Sequence, residues 1–310
     1  EIIDFIKKFR KNNKDSILVV VPTSYNKIKF EEFRDLNVNI VIYANHMLRS
    51  AYPNMKKVAN DIQIQLDFGK KNVIKTSFER KLAIWLQQVL HLEVVDGPLS
   101  PGIIYALKHT IGRSDLTKSV WSDLAASLAM DIKGTDMHSW DDFLKYCDGA
   151  TVAPASIYIY LLAATHTKEK HFEYEMPHEL SYYARDLAIY CYIVHIIRDL
   201  IKDAIASPRL ITIPNELLFE NDLSRSTLSS SLKNKDPAIV NLANDLIRRA
   251  APFHRHGHEV LSELNNLLGF SEKTALNKLI GVYDQLYRLA QENVQILIEG
   301  GQGLEEKFRT

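Results

Sequence analysis

The chain has 310 residues, enough for one large or two medium domains with a sizeable core. Its 46% hydrophobic and 25% charged content excludes a disordered chain. Lys+Arg and Asp+Glu balance at 38 each, so neither the basic excess of a nucleic-acid binder nor an acidic tail is present.

The first 66 residues alternate helix and strand. "EIIDFIKKFRKN" is amphipathic and predicts a helix, and "SILVVVPT" is a short β-branched run that predicts a buried strand. "KFEEFRDLN" predicts a helix, "VNIVIYAN" a second strand, and "LRSAYPNMKKVANDIQIQ", residues 48–65, a further helix. A βαβα order implies parallel strands joined by crossover helices. Two strands alone cannot bury both faces of a sheet. Glu1 opens in mid-helix, as a piece of a longer fusion would. Residues 67–76, "DFGKKNVIKT", lack periodicity and read as a linker.

From residue 77 onward the pattern is helical only. The runs are "FERKLAIWLQQVLHLE", "IIYALKHTIGRS", "KSVWSDLAASLAMDI", "SWDDFLKYCDGATVAPASIYIYLLAAT", "HELSYYARDLAIYCYIVHIIRDLIKDAI", "DPAIVNLANDLIRRAAPFHRHGHEVLSELNNLL" and "TALNKLIGVYDQLYRLAQENVQILIE". Helices this long and apolar pack around a common interior. "SPRLITIPNELL" is irregular. Ser139 before "WDD" sets an acid three residues on, the pattern of a capping box. Cys147 and Cys191 sit in apolar runs without metal-type spacing, so both are expected as reduced, buried thiols. No apolar run of about 18 residues predicts a transmembrane helix, and no signal peptide opens the chain. A cytoplasmic chain is expected, with peripheral membrane contact left open.

The stretch "HIIRDLIKDA", residues 195–204, puts charge in the middle of an apolar helix. Asp199 and Asp203 are four apart and share one helical face. Two carboxylates on one face repel, and burying them costs several kcal/mol unless they are paired. A divalent cation would remove the penalty, and oxygen ligands suit Mg²⁺. Local neutralisation by Arg198 or Lys202 would serve as well. "GATVAPAS", residues 149–156, is rich in small residues, with Pro154 expected to kink a helix. It leaves room either for a ligand or for a tight helix crossing.

These segments resemble the squalene/phytoene synthase family, the head-to-head prenyl-diphosphate condensing enzymes. The resemblance runs from about Trp85 to about Tyr287, roughly two thirds of the chain. "LAMDIKGTDMHSWDDFLKYCDGATVAP" is similar to the family's segment of Met, Asp, an aromatic, Leu-Tyr-Cys and a small-residue Val stretch. "ARDLAIYCYIVHIIRDLIKDA" is similar to its second aspartate-rich helix, Asn-x-x-Arg-Asp-x-x-x-Asp, and "PRLITIPNELL" to the loop that follows. The resemblance implies a mainly α, terpene-synthase-type domain over residues 77–310. It implies Asp199 and Asp203 as Mg²⁺ ligands, with Arg198 orienting a carboxylate or meeting the diphosphate. His195, Arg209, Val152 and Tyr192 would contact a farnesyl or geranylgeranyl diphosphate. Pyrophosphate would leave as Mg²⁺ stabilises its charge. The carbocation would need dry apolar and aromatic walls, which "IYIYLL" and "YCYIV" could supply, although for any single Tyr ordinary core packing is the stronger expectation.

The sequence departs from that pattern. No first aspartate-rich motif precedes Trp85, since Asp61 and Asp67 are six apart and share no face. His195 stands where the family has Asn, Lys202 replaces the acidic neighbour of Asp203, and no Tyr follows Arg209 at the expected place. A helical relative that binds a lipid or a partner without catalysis would show the same departures.

"VVVPTSY" and "FRDLNVNIVIYANHMLRSAYPNMKKVA" resemble the C-terminal end of phosphoenolpyruvate mutase, of the isocitrate-lyase superfamily. That implies the last two units of a (β/α)8 barrel over residues 1–66, with its metal ligands before Glu1. A fragment of a phosphonate-forming mutase fusion is the corresponding alternative. In "FHRHGHEV", His254 and His258 share a helical face and could suit zinc. No third ligand is evident there, and Gly257 is expected to interrupt the helix.

Overall fold

The computed structural model describes residues 2–14, 16–20, 28–41, 71–167, 169, 171–206 and 212–299. The chain divides into two compact units at Ile74/Lys75. The helix expected over residues 48–65, and Arg209, lie outside the described residues.

In the first unit, α1 (Ile2–Asn12) turns Ile6 onto Val20 and Phe33, and these three form a small buried core. β1 (Val19–Val20) pairs in parallel with β2 (Ile40–Val41), Val19 opposite Ile40, and α2 (Phe30–Asp35) connects them. This is the βαβ order expected from the sequence. Asn39 Oδ1 accepts from the Leu18 backbone N–H at 2.8 Å and from Arg10 Nη2 at 2.6 Å, tying the end of α1 to the entry of β2.

α3 spans Lys71–His91, with all but its first turn in the second unit, and begins inside the stretch expected as a linker. Apolar Val73 and Ile74 interleaved with polar residues continue the helical run, and no Gly or Pro intervenes after Gly69. Gln88, fully buried, donates to the Val95 and Leu99 carbonyls and accepts from the Leu99 N–H. One side chain thereby folds "DGPLSPG" back on α3. Ser100 caps α4 (Pro101–His109), accepting from the Ile103 N–H.

α5 (Ser119–Lys133) ends at Gly134, whose φ of 62° lets the Thr135 N–H return to the Met130 carbonyl at 3.0 Å. α6 (Trp140–Cys147) starts with the expected capping box: Ser139 Oγ accepts from the Asp142 N–H, and Asp142 Oδ2 accepts from the Ser139 N–H. A π-helical turn, Asp148–Val152, joins α6 to α7 (Ala153–Ala163), with Pro154 in the first turn of α7. Pro154 thus occupies a helix first turn, where its missing N–H costs nothing. A β3–β4 hairpin (Thr165–His166, Phe172–Glu173) that the sequence did not suggest is held by the Tyr160 hydroxyl, which donates to the Phe172 carbonyl at 2.8 Å.

α8 (Leu180–Ala206) is the axis of the unit, and α7, α11 (Pro237–Leu267) and α12 (Phe270–Ile298) pack on it. α9 (Asn215–Glu220) and α10 (Leu228–Lys233) are short. Ile189, Ile193, Val194 and Ile197 of α8 are fully buried in the main core. Gly257 does not interrupt α11, contrary to expectation. It lets α11 approach α8 so closely that a Cβ would lie 3.1 Å from the Leu187 nitrogen.

The small-residue stretch serves a helix crossing. A Cβ at Gly149 would overlap the Asp123 carbonyl oxygen and the Ser127 hydroxyl of α5. Gly149→Ala should therefore destabilise the protein by about 1–3 kcal/mol. Gly281→Ala, with open space around the site, should be neutral or stabilising by up to about 1 kcal/mol. Urea unfolding midpoints of the two variants check this, and equal effects would refute the crossing argument.

Candidate functional site

In its second half α8 carries His195, Arg198, Asp199 and Asp203 beside the buried apolar face. Arg198 Nε donates to Asp199 Oδ1 at 2.8 Å and Nη2 to Oδ2 at 3.1 Å, a two-point pair between sequence neighbours. The same Nη2 lies 3.0 Å from His195 Nδ1, and His195 Nε2 lies 3.2 Å from Asp199 Oδ2. The Asp199 side chain is only 13% exposed. Hydrogen bonding to Asp199 holds the Arg198 guanidinium above its usual range against the opposing effect of burial, with Asp199, Tyr283 and Asp203 reinforcing it electrostatically. Asp203, one turn further, is exposed.

An aromatic wall stands along the same helix. Tyr192 stacks on Phe143 with ring centroids 6.2 Å apart, and Phe143 stacks on Trp140 at 4.6 Å. Tyr192 lies 6.4 Å from the Tyr146 ring. Burial raises the Tyr192 phenol above its ordinary range, and Asp131 and Asp203 add to the shift. Tyr192 thus stands within the field of both carboxylates. Val152, at the end of the π turn, is 5% exposed and packs in the main core. Of the other tyrosines considered as cavity walls, Tyr160 is fixed by Asp115 and Phe172, and Tyr190 by Asp284.

Sequence reasoning missed Asp131 and Tyr146. The Tyr146 hydroxyl donates to both oxygens of Asp131, at 3.0 and 3.1 Å. Asp131 is exposed at the surface, close to protein groups that raise its carboxyl. Burial pushes its carboxyl up to about 6, and the Tyr146 bond holds the shift back. The signal was available: "LAMDI" sets an Asp within an apolar helix, as "IIRDL" does.

The histidines divide between two partners. His256 Nδ1 meets Asp186 Oδ2 of α8. His254 and His258 face Asp284 of α12, which supplies the third group that the sequence did not reveal.

The squalene/phytoene synthase family model matches residues 70–291. Among solved structures, the squalene synthase HpnC from Alicyclobacillus acidocaldarius is similar, with a TM-score of 0.53 and 13% identity over 74% of this chain and 77% of that one. A dehydrosqualene synthase in complex with ligand aligns with a TM-score of 0.49 and 14% identity over 98% of this chain and 96% of that one. The likeness to HpnC bears on the fold, an all-helical terpene-synthase type. A search of curated proteins returned no significant match.

Asp131 carries a pH signature. Its folded-state value, about 6, lies above its ordinary 3.8, so the folded protein holds this proton more tightly. The contribution to stability is full below about pH 4 and is lost as pH rises through about 6. Asp131→Asn should remove that downward component. Urea midpoints of wild type and variant across this range check it, and superimposable pH profiles would refute the assignment.

Proposed function

The chain belongs to the squalene/phytoene synthase family of transferases, and on that premise we propose that it condenses prenyl diphosphates head to head in a Mg²⁺-dependent reaction that releases pyrophosphate. Farnesyl or geranylgeranyl diphosphate is the proposed substrate. The observation that carries this reading is the charged stripe of α8: Asp199, Arg198 and His195 in mutual contact, Asp203 one turn on, and an aromatic wall beside them.

The donor set fits Mg²⁺. That ion is commonly held by one or two carboxylates, with substrate phosphates and water completing its shell, and Asp199 and Asp203 are two carboxylates one turn apart on one helix. Bound there, Mg²⁺ would stabilise negative charge on the departing diphosphate. Arg198 offers phosphate oxygens a planar two-point fork. His195, Val152, Tyr192 and Arg209 are proposed as further substrate contacts. Tyr192, backed by the buried rings of Phe143 and Tyr146, is proposed to face the cationic prenyl chain. Asp131, with a value of about 6 and Tyr146 donating to it, is suited to exchange a proton near neutrality.

Among the described residues, no helix is long and apolar enough to cross a membrane. A cytoplasmic site that takes a lipid substrate through peripheral membrane contact belongs to the same proposal. For residues 1–66 we propose the end of a phosphoenolpyruvate-mutase-type barrel, supported by the parallel β1–β2 pair.

One observation favours a second reading. Arg198 already neutralises Asp199 through two hydrogen bonds, as it would in a lipid-binding relative without catalysis.

The test is pyrophosphate release from farnesyl and geranylgeranyl diphosphate with Mg²⁺. Wild type should release it, and Asp199→Ala and Asp203→Ala, folded by circular dichroism, should each lose about 10²-fold or more in rate. Well-folded wild type that releases none from either substrate would overturn the catalytic reading and leave the binding one.

A further inference from the structure

We propose that His254, His258 and Asp284 form a binding site for a transition-metal ion of the Zn²⁺ class, separate from the carboxylates of α8. Among the described residues this is the group of His, Cys, Asp or Glu whose ligand atoms converge, all within 4.8 Å of one another. His254 and His258 stand one turn apart on α11, with ring centroids 4.4 Å apart. Asp284 comes from α12. Its Oδ1 lies 2.8 Å from His258 Nε2 and 3.5 Å from His254 Nε2. The two imidazoles therefore present the same ring nitrogen to one carboxylate from a neighbouring helix.

The supporting residues fix that arrangement. The buried Tyr190 of α8 donates its hydroxyl to Asp284 Oδ1 at 2.6 Å, orienting the carboxylate from behind. Tyr287 stacks on the His254 ring with centroids 4.6 Å apart, and Tyr190 meets it edge-on at 4.9 Å. Three helices thus contribute, and the imidazole rings cannot turn without disturbing packed aromatics. The three side chains are 31%, 33% and 26% exposed. One side of the cluster is open, which gives an ion its way in and leaves a fourth position for water.

The donor chemistry separates this site from the α8 pair. Two imidazoles and one carboxylate suit Zn²⁺ or Co²⁺, whereas an all-oxygen set suits Mg²⁺. The His-x-x-x-His spacing with a carboxylate from another helix is a three-ligand Zn²⁺ arrangement that keeps one position open. A bound ion would join α11 to α12 at the point where both pack on Tyr190. It would stabilise the folded chain in proportion to its affinity.

The test uses the full chain, stripped with a chelator and titrated with Co²⁺ alone and then Zn²⁺ alone, without prenyl diphosphate. One equivalent of Co²⁺ should produce the visible d–d absorption of a tetrahedral nitrogen–oxygen site, and Zn²⁺ should abolish it by displacement. Zn²⁺ should also raise the thermal unfolding midpoint. His258→Gln and Asp284→Asn should weaken Co²⁺ binding at least about tenfold, and Tyr190→Phe about tenfold. Asp199→Ala should bind as wild type does. His254→Gln, altering a partly exposed ring, decides the matter should the other ligand variants fail to fold. Absence of the absorption at saturating Co²⁺ would overturn the proposal and leave a hydrogen-bonded cluster in its place. So would a band unchanged in the histidine variants, or one lost in Asp199→Ala.

Discussion

A helix surrounded by other helices has to find a partner for each polar group it carries. α8 is such a helix. Its isoleucines fill the main core, yet it also bears Asp186, Tyr190, Tyr192, His195, Arg198 and Asp199. Each of these meets a named group: Asp186 meets His256, Tyr190 meets Asp284, Tyr192 meets Tyr146, and His195, Arg198 and Asp199 meet one another. An unpartnered buried donor or acceptor costs about 1–3 kcal/mol and a buried charge more. The positions of α6, α11 and α12 around α8 are therefore constrained twice, by apolar packing and by the need to deliver those partners.

The partners sort the surface of α8 into two regions. Tyr192 faces the Phe143, Tyr146 and Asp131 group, while His195, Arg198 and Asp199 meet one another further along the helix. The edge at Tyr190 faces α11 and α12. Consecutive residues of α12 serve the two: Tyr283 lies in the field of Arg198 and Asp199, while Asp284 receives Tyr190. Close approach makes this possible. Gly257 lets α11 reach the α8 backbone, and Gly149 lets the π turn reach α5 and so brings Tyr146 to Asp131.

What could be read from sequence was what depends on local pattern. The capping box at Ser139, the long apolar period of α8, the βαβ order and the mainly helical character after residue 77 each rest on neighbours a few positions apart. What escaped depends on distant contacts. Asp284 reaches His258 across 26 residues, Tyr190 reaches Asp284 across 94, and the β3–β4 hairpin is pinned by Asp115 and Tyr160 from outside its own sequence. Gly257 was misread because helix propensity weighs against glycine, whereas tertiary packing here requires the missing Cβ. The start of α3 was misread because its first turns lack a clean apolar face, so periodicity gave no signal where the helix nonetheless continues.

The Arg198–Asp199 pair bears on how the proposed site would work. The Asp199 side chain is largely enclosed, and removing a partner from such a pair is costly. Arg198, the residue beside it, meets it in a two-point contact. A guanidinium that pairs with a carboxylate through two parallel bonds is equally suited to a phosphate. On the proposed function, a diphosphate arriving with Mg²⁺ would offer Arg198 an anion and Asp199 a cation at once, so neither charge would be left unpaired during the exchange. The pairing that favours a non-catalytic reading in the absence of ligand is then the resting arrangement that a buried carboxylate on an apolar helix requires.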